Sequence, residues 1–226
     1  PPLLPPRPSG FVVDVPQLKA AVADDSLDRI VLNAGIYALG NPLTLGSQTN
    51  VTIEVAVPGT AVVDGQGLTR LFSPISSVGI SVALVGIHLT GGGGYSSRGG
   101  AFYIKSGSRQ VRLALTACTI TGCSADYGGF LSIGEAQGVT VALTACNVSG
   151  NTALEGGVAA LWSGVVRFDR CTVGGNSALS FNARGGVAYL SVGSETRFDG
   201  CNVSSNSASG SGSVSGGVAF LIRDSE

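Results

Sequence analysis

Several residue types that usually carry chemistry or charge are scarce in this chain. Its 226 residues include no methionine, one tryptophan and one histidine, and only 12% of them are charged. A net charge of −1 leaves no basic surface for nucleic acid, and so little charge excludes a solvated acidic or basic tail. Because the chain lacks methionine and opens Pro1-Pro2-Leu3-Leu4, we expect a processed form or a fragment of a longer protein. The last repeat is followed by no cap in the sequence, so we expect the protein to continue beyond residue 226.

Long hydrophobic runs are absent as well. The longest, such as residues 80–87, fall well short of the roughly 20 residues that a membrane-spanning helix needs, so no membrane span is expected in this segment. Glycine is abundant by contrast, with 35 residues, and 44% of the chain is hydrophobic.

Two repeated motifs run through the chain in one register. The first is Gly-Gly followed by four mostly apolar residues, and its copies begin at positions 99, 128, 156, 185 and 216, which are 29, 28, 29 and 31 residues apart. The second is an eight-residue unit that begins at Cys118, Cys146, Cys171 and Cys201 and ends in alanine. Equal spacing of near-identical units is the signature of a repeat architecture.

Each repeat carries strand signals and no helix signals. Segments such as Val166-Arg167-Phe168-Asp169 alternate apolar and polar residues, and Gly, Asn and Ser separate them. The predicted fold class is therefore all-β: a right-handed parallel β-helix with about 28 residues per coil, in preference to a β-sandwich. We expect a Pro-rich approach segment over residues 1–13 and one β-helix domain over 14–226, with Asp14 capping a short helix over Val15–Asp24 that covers the first coil.

Equivalent residues of successive coils should stack into ladders. Five residues after three of the four repeat cysteines stands an asparagine, and Cys123 fills that place in the first copy. This predicts a structural ladder of turn residues at Asn151, Asn176 and Asn206. The cysteines should form a second interior ladder as buried, inert thiols, while a single bridge involving Cys123 is the alternative. The predicted cysteine ladder comprises Cys118, Cys146, Cys171 and Cys201.

The strand that follows each Gly-Gly pair is apolar at both alternating sets of positions. If the second and fourth residues face the core, the first and third face outward, and five stacked uncharged rows would form a surface for a partner. We therefore predict that other protein subunits or the rest of a larger chain, and possibly glycans, pack against these residues. The predicted partner-binding residues are Ala101, Tyr103, Phe130, Val158, Val187, Tyr189, Val218 and Phe220.

The chain also resembles a known superfamily. The entrance Ile30-Val31-Leu32-Asn33-Ala34-Gly35-Ile36-Tyr37, followed by Asp64-Gly65-Gln66-Gly67, looks like the start of pectate-lyase-like right-handed β-helix proteins. The repeats from Gly99 onward are similar to those of polymorphic outer-membrane proteins and large algal or microbial surface proteins. This resemblance implies the fold, and it covers adhesins, cell-surface scaffolds and carbohydrate enzymes alike.

Catalytic residues are hard to assemble from this sequence. Hydrolases of the superfamily use clustered Asp residues and a Gly-His-Gly, and its lyases use calcium-binding Asp groups and a basic residue. Here the sole histidine, His88, lies in Gly86-Ile87-His88-Leu89-Thr90, and the Gly-Gly strands have Lys105 and Arg223 only at their ends. The acidic candidates share no motif, so we assign no catalytic residue, metal ligand or cofactor; they are Asp64, Asp126, Glu135 and Glu155.

The sequence thus favours a non-catalytic structural or adhesive module in an extracellular or cell-surface setting. Three sequons are compatible with secretion and make Asn50, Asn147 and Asn202 candidate glycosylation sites. The alternatives are a carbohydrate-active enzyme of the same fold and a glycan-binding module in which Tyr103, Tyr189 and Phe220 act as stacking platforms.

Overall fold

Parallel strands make up nearly all of the regular structure. In a computed structural model of the chain, residues 9–46, 50–76, 78–94, 98–191 and 193–221 are described. They form a β-solenoid of about 6 turns with about 28 residues per turn, and only 4% of the chain is helical. The predicted fold class is confirmed.

The solenoid has four parallel sheets, which the chain visits in the same order in the later coils. Sheet 1 contains β1 (Ser9–Val12), β2 (Arg29–Leu32), β4 (Asn50–Val55), β6 (Ser81–Val85), β9 (Arg112–Thr116), β13 (Thr140–Thr144), β17 (Gly164–Asp169) and β21 (Ser194–Asp199). Sheet 2 contains β3 (Gly35–Ala38), β5 (Ala61–Thr69), β7 (His88–Gly92), β10 (Thr119–Thr121), β14 (Asn147–Ser149), β18 (Thr172–Gly174) and β22 (Asn202–Ser204).

Two further sheets complete each later coil. Sheet 3 contains β11 (Ser124–Tyr127), β15 (Thr152–Glu155), β19 (Ser177–Leu179) and β23 (Ser207–Ser209). Sheet 4 is built from the strands that follow the Gly-Gly pairs, namely β8 (Phe102–Ile104), β12 (Leu131–Ile133), β16 (Ala159–Leu161), β20 (Ala188–Leu190) and β24 (Ala219–Leu221).

The register pairs equivalent residues of neighbouring coils. Asn147 pairs with Thr172, and Thr172 pairs with Asn202, so the cysteines that precede them lie at equivalent places on adjacent coils. In the first copy His88 pairs with Thr119, which puts Ile87 in the place of the cysteine. The two repeated motifs therefore mark one coil each, as the sequence predicts.

A short helix covers the N-terminal end of the core. Helix α1 spans Val15–Ala23, the Asp14 side chain accepts a hydrogen bond from the Gln17 amide at 2.8 Å, and Asp24 is the C-cap. One face of α1 is buried in the hydrophobic core through Leu18, Ala21 and Val22. Covering the end of the solenoid removes apolar core from water, which accounts for the predicted capping helix.

The predicted domain boundary after residue 13 was too late. Strand β1 lies within the expected approach segment but pairs in parallel with β2, so it already belongs to sheet 1. Its Val12 side chain is buried in the core. Of the Pro-rich approach, residues 1–8 lie outside the described part of the chain.

Two of the corners in each coil depend on a left-handed backbone conformation. Immediately before each ladder cysteine stand Ala117, Ala145, Arg170 and Gly200, all with φ between 52° and 57°. A second left-handed corner precedes Cys123 and the three ladder asparagines. Its residue is glycine in three coils and Ser205, with φ 57°, in the fourth. Because this region costs an ordinary L-residue roughly 1–2 kcal/mol, the non-glycine corners hold strain.

The third corner requires the Gly-Gly pair itself. The first glycine has positive φ, and a Cβ on it would overlap the carbonyl oxygen of the third residue along, as at Gly128 with Leu131. A Cβ on the second, as at Gly129, would overlap the Gly157 carbonyl oxygen of the next coil. The corner is thus closed by direct backbone contact, both along the chain and between coils.

The residue after each of the first four Gly-Gly pairs lies in the core, contrary to the sequence prediction. The consecutive amides of Phe130 and Leu131 both donate to the Val158 carbonyl oxygen at 3.0 Å, the pattern of a β-bulge. The bulge interrupts strict alternation, so both side chains lie in the core. The same pattern recurs at Val158 with Ala159 and at Val187 with Ala188.

The outward placement of four predicted partner-binding residues was therefore wrong. Ala101, Phe130, Val158 and Val187 are completely buried core residues. Val218, their counterpart on the last described coil, is 40% exposed. Tyr103, Tyr189 and Phe220 do lie on the outer side of sheet 4, one residue away from the core-facing positions.

Replacing Phe130 by alanine tests the corrected placement. Phe130 is fully buried and meets the Phe102 ring edge-on at 5.7 Å, so the truncation should lower the free energy of unfolding by about 3–5 kcal/mol. Phe181→Ala is the matched control, because its ring is 68% exposed, and it should cost less than about 0.5–1 kcal/mol. Denaturant unfolding measures both, and equal effects would contradict the placement.

Replacing alanine by glycine should change the free energy of unfolding in opposite directions at two sites. Ala145→Gly relieves a left-handed corner with φ 52° and should raise the free energy of unfolding by up to about 1 kcal/mol. Ala142→Gly, in the extended strand β13 of the same coil, should lower it by about 0.5–1 kcal/mol. Thermal unfolding of the pair gives the comparison, and destabilisation by both would show that the corner holds no strain.

Candidate functional site

The asparagine ladder is present inside the solenoid. The Asn151 side-chain amide donates to Asn176 Oδ1 at 3.0 Å, and the Asn176 amide donates to Asn206 Oδ1 at 2.9 Å. The backbone amides of Cys123, Asn151 and Asn176 each donate to the asparagine of the next coil at 3.0 Å. Asn151 and Asn176 are completely buried, so this ladder holds the corner together and offers nothing to a ligand.

The cysteines form the second predicted ladder. The Cys146 amide donates to Cys171 Sγ and the Cys171 amide to Cys201 Sγ, both at 3.4 Å. All five cysteines are free, so the alternative of a bridge through Cys123 is not formed. Burial raises the pKa of the Cys123 thiol to about 12.

A row of large polar and aromatic side chains immediately precedes the Gly-Gly pairs. Arg98 pairs with Tyr127, Tyr127 with Glu155, and Glu155 with Arg184, so these four residues occupy the same place on successive coils. The tight glycine corner that follows sets this row close to the outer side of sheet 4. Arg70 lies next to the row, because its guanidinium donates to the Gly99 carbonyl oxygen at 2.7 Å.

The outward row of sheet 4 meets these residues across the corner. That row runs Tyr103, Ser132, Ala160, Tyr189, Phe220 in register. The Trp162 ring, just after β16, contacts Tyr127 edge-on with ring centroids 5.3 Å apart and Tyr189 at 5.9 Å. Tyr189 in turn stacks on Phe220 at 6.1 Å.

Guanidinium groups lie over these rings. The Arg98 guanidinium is 4.5 Å from the Trp162 ring centroid and 5.7 Å from that of Tyr103. The Arg184 guanidinium lies 5.1 Å from the Phe220 centroid. Such cation–π contacts position the side chains and keep each cation at the surface of a ring. We call the whole set the aromatic–arginine stripe; it comprises Arg70, Arg98, Tyr103, Tyr127, Glu155, Trp162, Arg184, Tyr189 and Phe220.

The stripe carries an excess of positive charge. It contains three arginines and one carboxylate, Glu155, whose oxygen lies 3.8 Å from the Arg184 guanidinium. Burial raises the pKa of Glu155, and the nearby Arg184 charge opposes that shift. Apart from Tyr189, which is 7% exposed, the stripe side chains are partly exposed. The arrangement therefore offers ring surfaces and guanidinium groups to a ligand with apolar faces and negative charge.

A buried hydroxyl without a partner lies in the outward row. Ser132 is completely buried, and its Oγ has no hydrogen-bond partner within the described residues. Its neighbours on the strand, Leu131 and Ile133, belong to the core, so Ser132 faces the stripe. An unpaired buried hydroxyl costs roughly 1–3 kcal/mol, which marks this position as unusual within the outward row.

The acidic catalytic candidates serve separate local roles. Asp64 accepts a hydrogen bond from the Gln66 amide at 2.7 Å, as in an Asx turn, and Glu155 belongs to the stripe. Asp126 is exposed in β11, and Glu135 is exposed in the loop after β12. No described contact joins any two of these carboxylates.

The single histidine lies on the outer side of sheet 2. His88 Nε2 is 2.8 Å from Thr121 Oγ1, and burial lowers the pKa of His88. Over the described ranges, no group of three or more His, Cys, Asp or Glu side chains could hold a metal ion. Lys105 follows β8 and is exposed, whereas Arg223 lies outside the described residues.

The three sequon asparagines are all exposed. Asn50 begins β4, and Asn147 and Asn202 begin β14 and β22. Asn147 and Asn202 lie on the outer side of sheet 2, two coils apart, away from the stripe on sheet 4. Their glycosylation stays a prediction.

Sequence reasoning missed Arg98, Tyr127, Trp162, Arg184 and Ser132. Arg98, Tyr127 and Arg184 each stand directly before a Gly-Gly pair. The recurrence of large polar or aromatic residues at that repeat position is the sequence signal that could have identified them. Trp162 gives no comparable signal, because the equivalent residues of the two preceding coils are Gly134 and Lys105. Only the closed corner brings it against Tyr127.

Comparison with known proteins leaves the chain without a match: no protein-family profile, curated protein or solved structure is similar enough to report. Among the described residues, no helix is long and apolar enough to cross a membrane.

Thiol labelling tests the cysteine ladder. Cys201 is partly exposed on an outer coil while the other four cysteines are buried, so a thiol reagent should modify about one cysteine in the native protein and all five after denaturation. Cys201→Ser should abolish the native labelling, and Cys146→Ser should leave it unchanged. Rapid native labelling of Cys123 or Cys146 would contradict the interior ladder.

Proposed function

We propose that the chain is a non-catalytic structural or adhesive module of an extracellular or cell-surface protein, attached to surface material through the aromatic–arginine stripe. The observation that supports this function is the stripe itself. It runs across successive coils, from Arg70 to Phe220, and its rings and guanidinium groups are held in place by one another. A continuous row on a rigid repeat scaffold suits an extended partner better than a small substrate.

The stripe replaces the surface expected from sequence. An apolar sheet of valines would fit another protein subunit, but Val158 and Val187 are core residues. The outer side instead offers aromatic rings together with charge, which is the composition of a recognition surface. We therefore expect attachment to surface material to depend on Trp162, Arg98 and Arg184. Protein subunits are the other predicted class of partner.

Resemblance and sequon placement agree with this setting. The repeats are similar to those of polymorphic outer-membrane proteins and large algal or microbial surface proteins, within the pectate-lyase-like superfamily. All three sequon asparagines are exposed, and two of them lie on sheet 2 rather than on the stripe. Glycans at Asn147 and Asn202 would leave the proposed attachment surface open.

A carbohydrate-active enzyme is the second candidate, and one observation favours it. His88 Nε2 lies 2.8 Å from a hydroxyl, Thr121 Oγ1, and Asp64 is on the neighbouring strand β5. A histidine at this distance from a hydroxyl is the first requirement for base-assisted chemistry. The activity assay below therefore includes His88→Ala.

Depletion from solution tests attachment. The purified chain is mixed with insoluble algal or bacterial cell-wall material, and the unbound fraction is measured. Trp162→Ala combined with Arg184→Gln should reduce binding at least about tenfold, since a ring and a charge are removed from the stripe. The matched control removes one ring and one charge elsewhere, with Phe181→Ala and Arg112→Gln, and should bind as the parent chain does.

The supernatants are also assayed for released sugars. No time-dependent release of reducing ends or unsaturated products is expected. Release that is abolished by His88→Ala would replace the structural function with the enzymatic one. Equal binding by the stripe variant and its control, or no binding to any wall material, would overturn attachment through the stripe.

A further inference from the structure

Two cysteines of the interior ladder combine burial with access from solvent. Cys171 and Cys201 lie at equivalent places on the last two described coils, because Thr172 pairs with Asn202 in register. The Cys171 thiol is buried, the Cys201 thiol is partly exposed, and both are free. A small solute can therefore reach the ladder at Cys201 and contact both sulfur atoms.

The register of the coils fixes the spacing of these two thiols. Equivalent atoms of neighbouring strands lie about 4.8 Å apart. The inward rings of Phe168 and Phe198, three residues before the two cysteines, follow this spacing, with centroids 4.9 Å apart. A thiolate bond to the d10 ion zinc is about 2.3 Å long, so an ion held by two sulfur atoms on opposite sides separates them by about 4.6 Å. The ladder spacing therefore fits one such ion between the two sulfur atoms.

Backbone amides point at both sulfur atoms. The Cys146 amide donates to Cys171 Sγ, and the Cys171 amide donates to Cys201 Sγ, both at 3.4 Å. Hydrogen bonds to the sulfur atoms of a metal–thiolate group stabilise its negative charge, as they do around iron–sulfur clusters. These donors are a second feature of the pair, independent of its spacing, that suits thiolate ligands.

Carbonyl oxygens near the thiols oppose the loss of their protons. Cys171 Sγ lies 3.4 Å from the carbonyl oxygens of Leu143 and Asp169, to which the thiol donates. Cys201 Sγ makes the equivalent two contacts, at 3.3 and 3.2 Å. A thiol is a weak donor, so little is lost when a metal ion takes the place of its proton. The ion must nevertheless bond strongly to sulfur to offset that loss.

The number and kind of ligands select the ion. Over the residues that the structure describes, no third His, Cys, Asp or Glu side chain completes a metal-binding group around the pair. Zinc takes four ligands, and calcium and magnesium take six or more, mostly oxygen atoms, so two thiols satisfy none of them. Copper(I) is soft, prefers thiolate sulfur and accepts two sulfur ligands on opposite sides. The pair therefore suits copper(I), with silver(I) as its chemical analogue.

We propose that Cys171 and Cys201 bind one copper(I) ion between adjacent coils of the solenoid. Both thiols release their protons to solvent as the two copper–sulfur bonds form, and copper stays in the +1 state, so no oxidant or reductant takes part. The ion links two coils inside the corner between sheets 1 and 2, away from the aromatic–arginine stripe on sheet 4. This proposal is independent of attachment through the stripe.

Titration of the reduced chain under argon tests the site. Copper(I) is supplied as its coloured complex with bicinchoninate, and transfer to the protein is followed as the colour disappears. We expect each chain to take up one copper(I) ion, and one silver(I) ion by native mass spectrometry. Zinc(II) at the same concentration should not bind. Copper(I) should also protect Cys201 from a thiol reagent, whereas zinc(II) should leave it open to labelling.

Alanine variants separate the pair from the other thiols. Cys171→Ala and Cys201→Ala should each weaken copper(I) binding by about a hundredfold or more, because each removes one of two ligands. Cys118→Ala and Cys123→Ala are the matched controls, since each removes a buried thiol elsewhere, and both should bind copper(I) as the parent chain does. Cys201 is partly exposed, so Cys201→Ala should fold even if Cys171→Ala does not. Thermal unfolding shows which variants are folded.

Several outcomes would overturn the assignment. These are failure of the parent chain to take up copper(I), parent affinity in folded Cys201→Ala, and zinc(II) binding as tight as that of copper(I). Uptake of more than one ion, with the excess lost in Cys118→Ala, would show that the ladder as a whole binds metal rather than this pair. An equal loss of affinity in Cys123→Ala would show that the ion binds thiols without regard to their place in the ladder.

Discussion

Backbone hydrogen bonding between equivalent residues of successive coils is the constraint on which the rest of this structure depends. Each strand pairs in parallel with its counterpart one repeat further along, without a shift in register through the later coils. Residues of one type that recur at one repeat position therefore stack on each other in successive coils. The interior asparagines form one hydrogen-bonded ladder and the interior cysteines form another, while the exterior residues line up in rows on the surface.

The Gly-Gly corner brings residues from different coils together on one surface. Because neither glycine has room for a Cβ, the chain packs backbone against backbone there. Residues before one corner therefore meet residues that follow the sheet 4 strand of a later coil. Tyr127 reaches Trp162 and Arg98 reaches both Trp162 and Tyr103 in this way. The same glycines that close the coil therefore assemble the only aromatic and cationic stripe among the described residues.

The structure could be predicted from the sequence wherever the same residue type recurs at a repeat position with the same structural role. Parallel pairing, the capping helix with Asp14 and its buried Leu18 face, and the asparagine ladder are all confirmed. It failed at Phe130, Val158 and Val187, because strict alternation was assumed through a segment where two consecutive amides share one carbonyl. A bulge of this kind leaves no mark in an apolar run, since both neighbouring residues are hydrophobic in either arrangement.

What the amino-acid sequence determined by itself is the repeat: its period, its corners and the residues that stack inside. These follow from local backbone preferences and from hydrophobic periodicity, which nearby residues set. Only the tertiary structure decided which side of sheet 4 is apolar and which side chains share a surface. Arg98 and Trp162 are 64 positions apart along the chain, and the cation lies 4.5 Å from the ring because intervening coils stack and each glycine corner closes. Contacts of that kind depend on the summed geometry of whole coils, which no local pattern encodes.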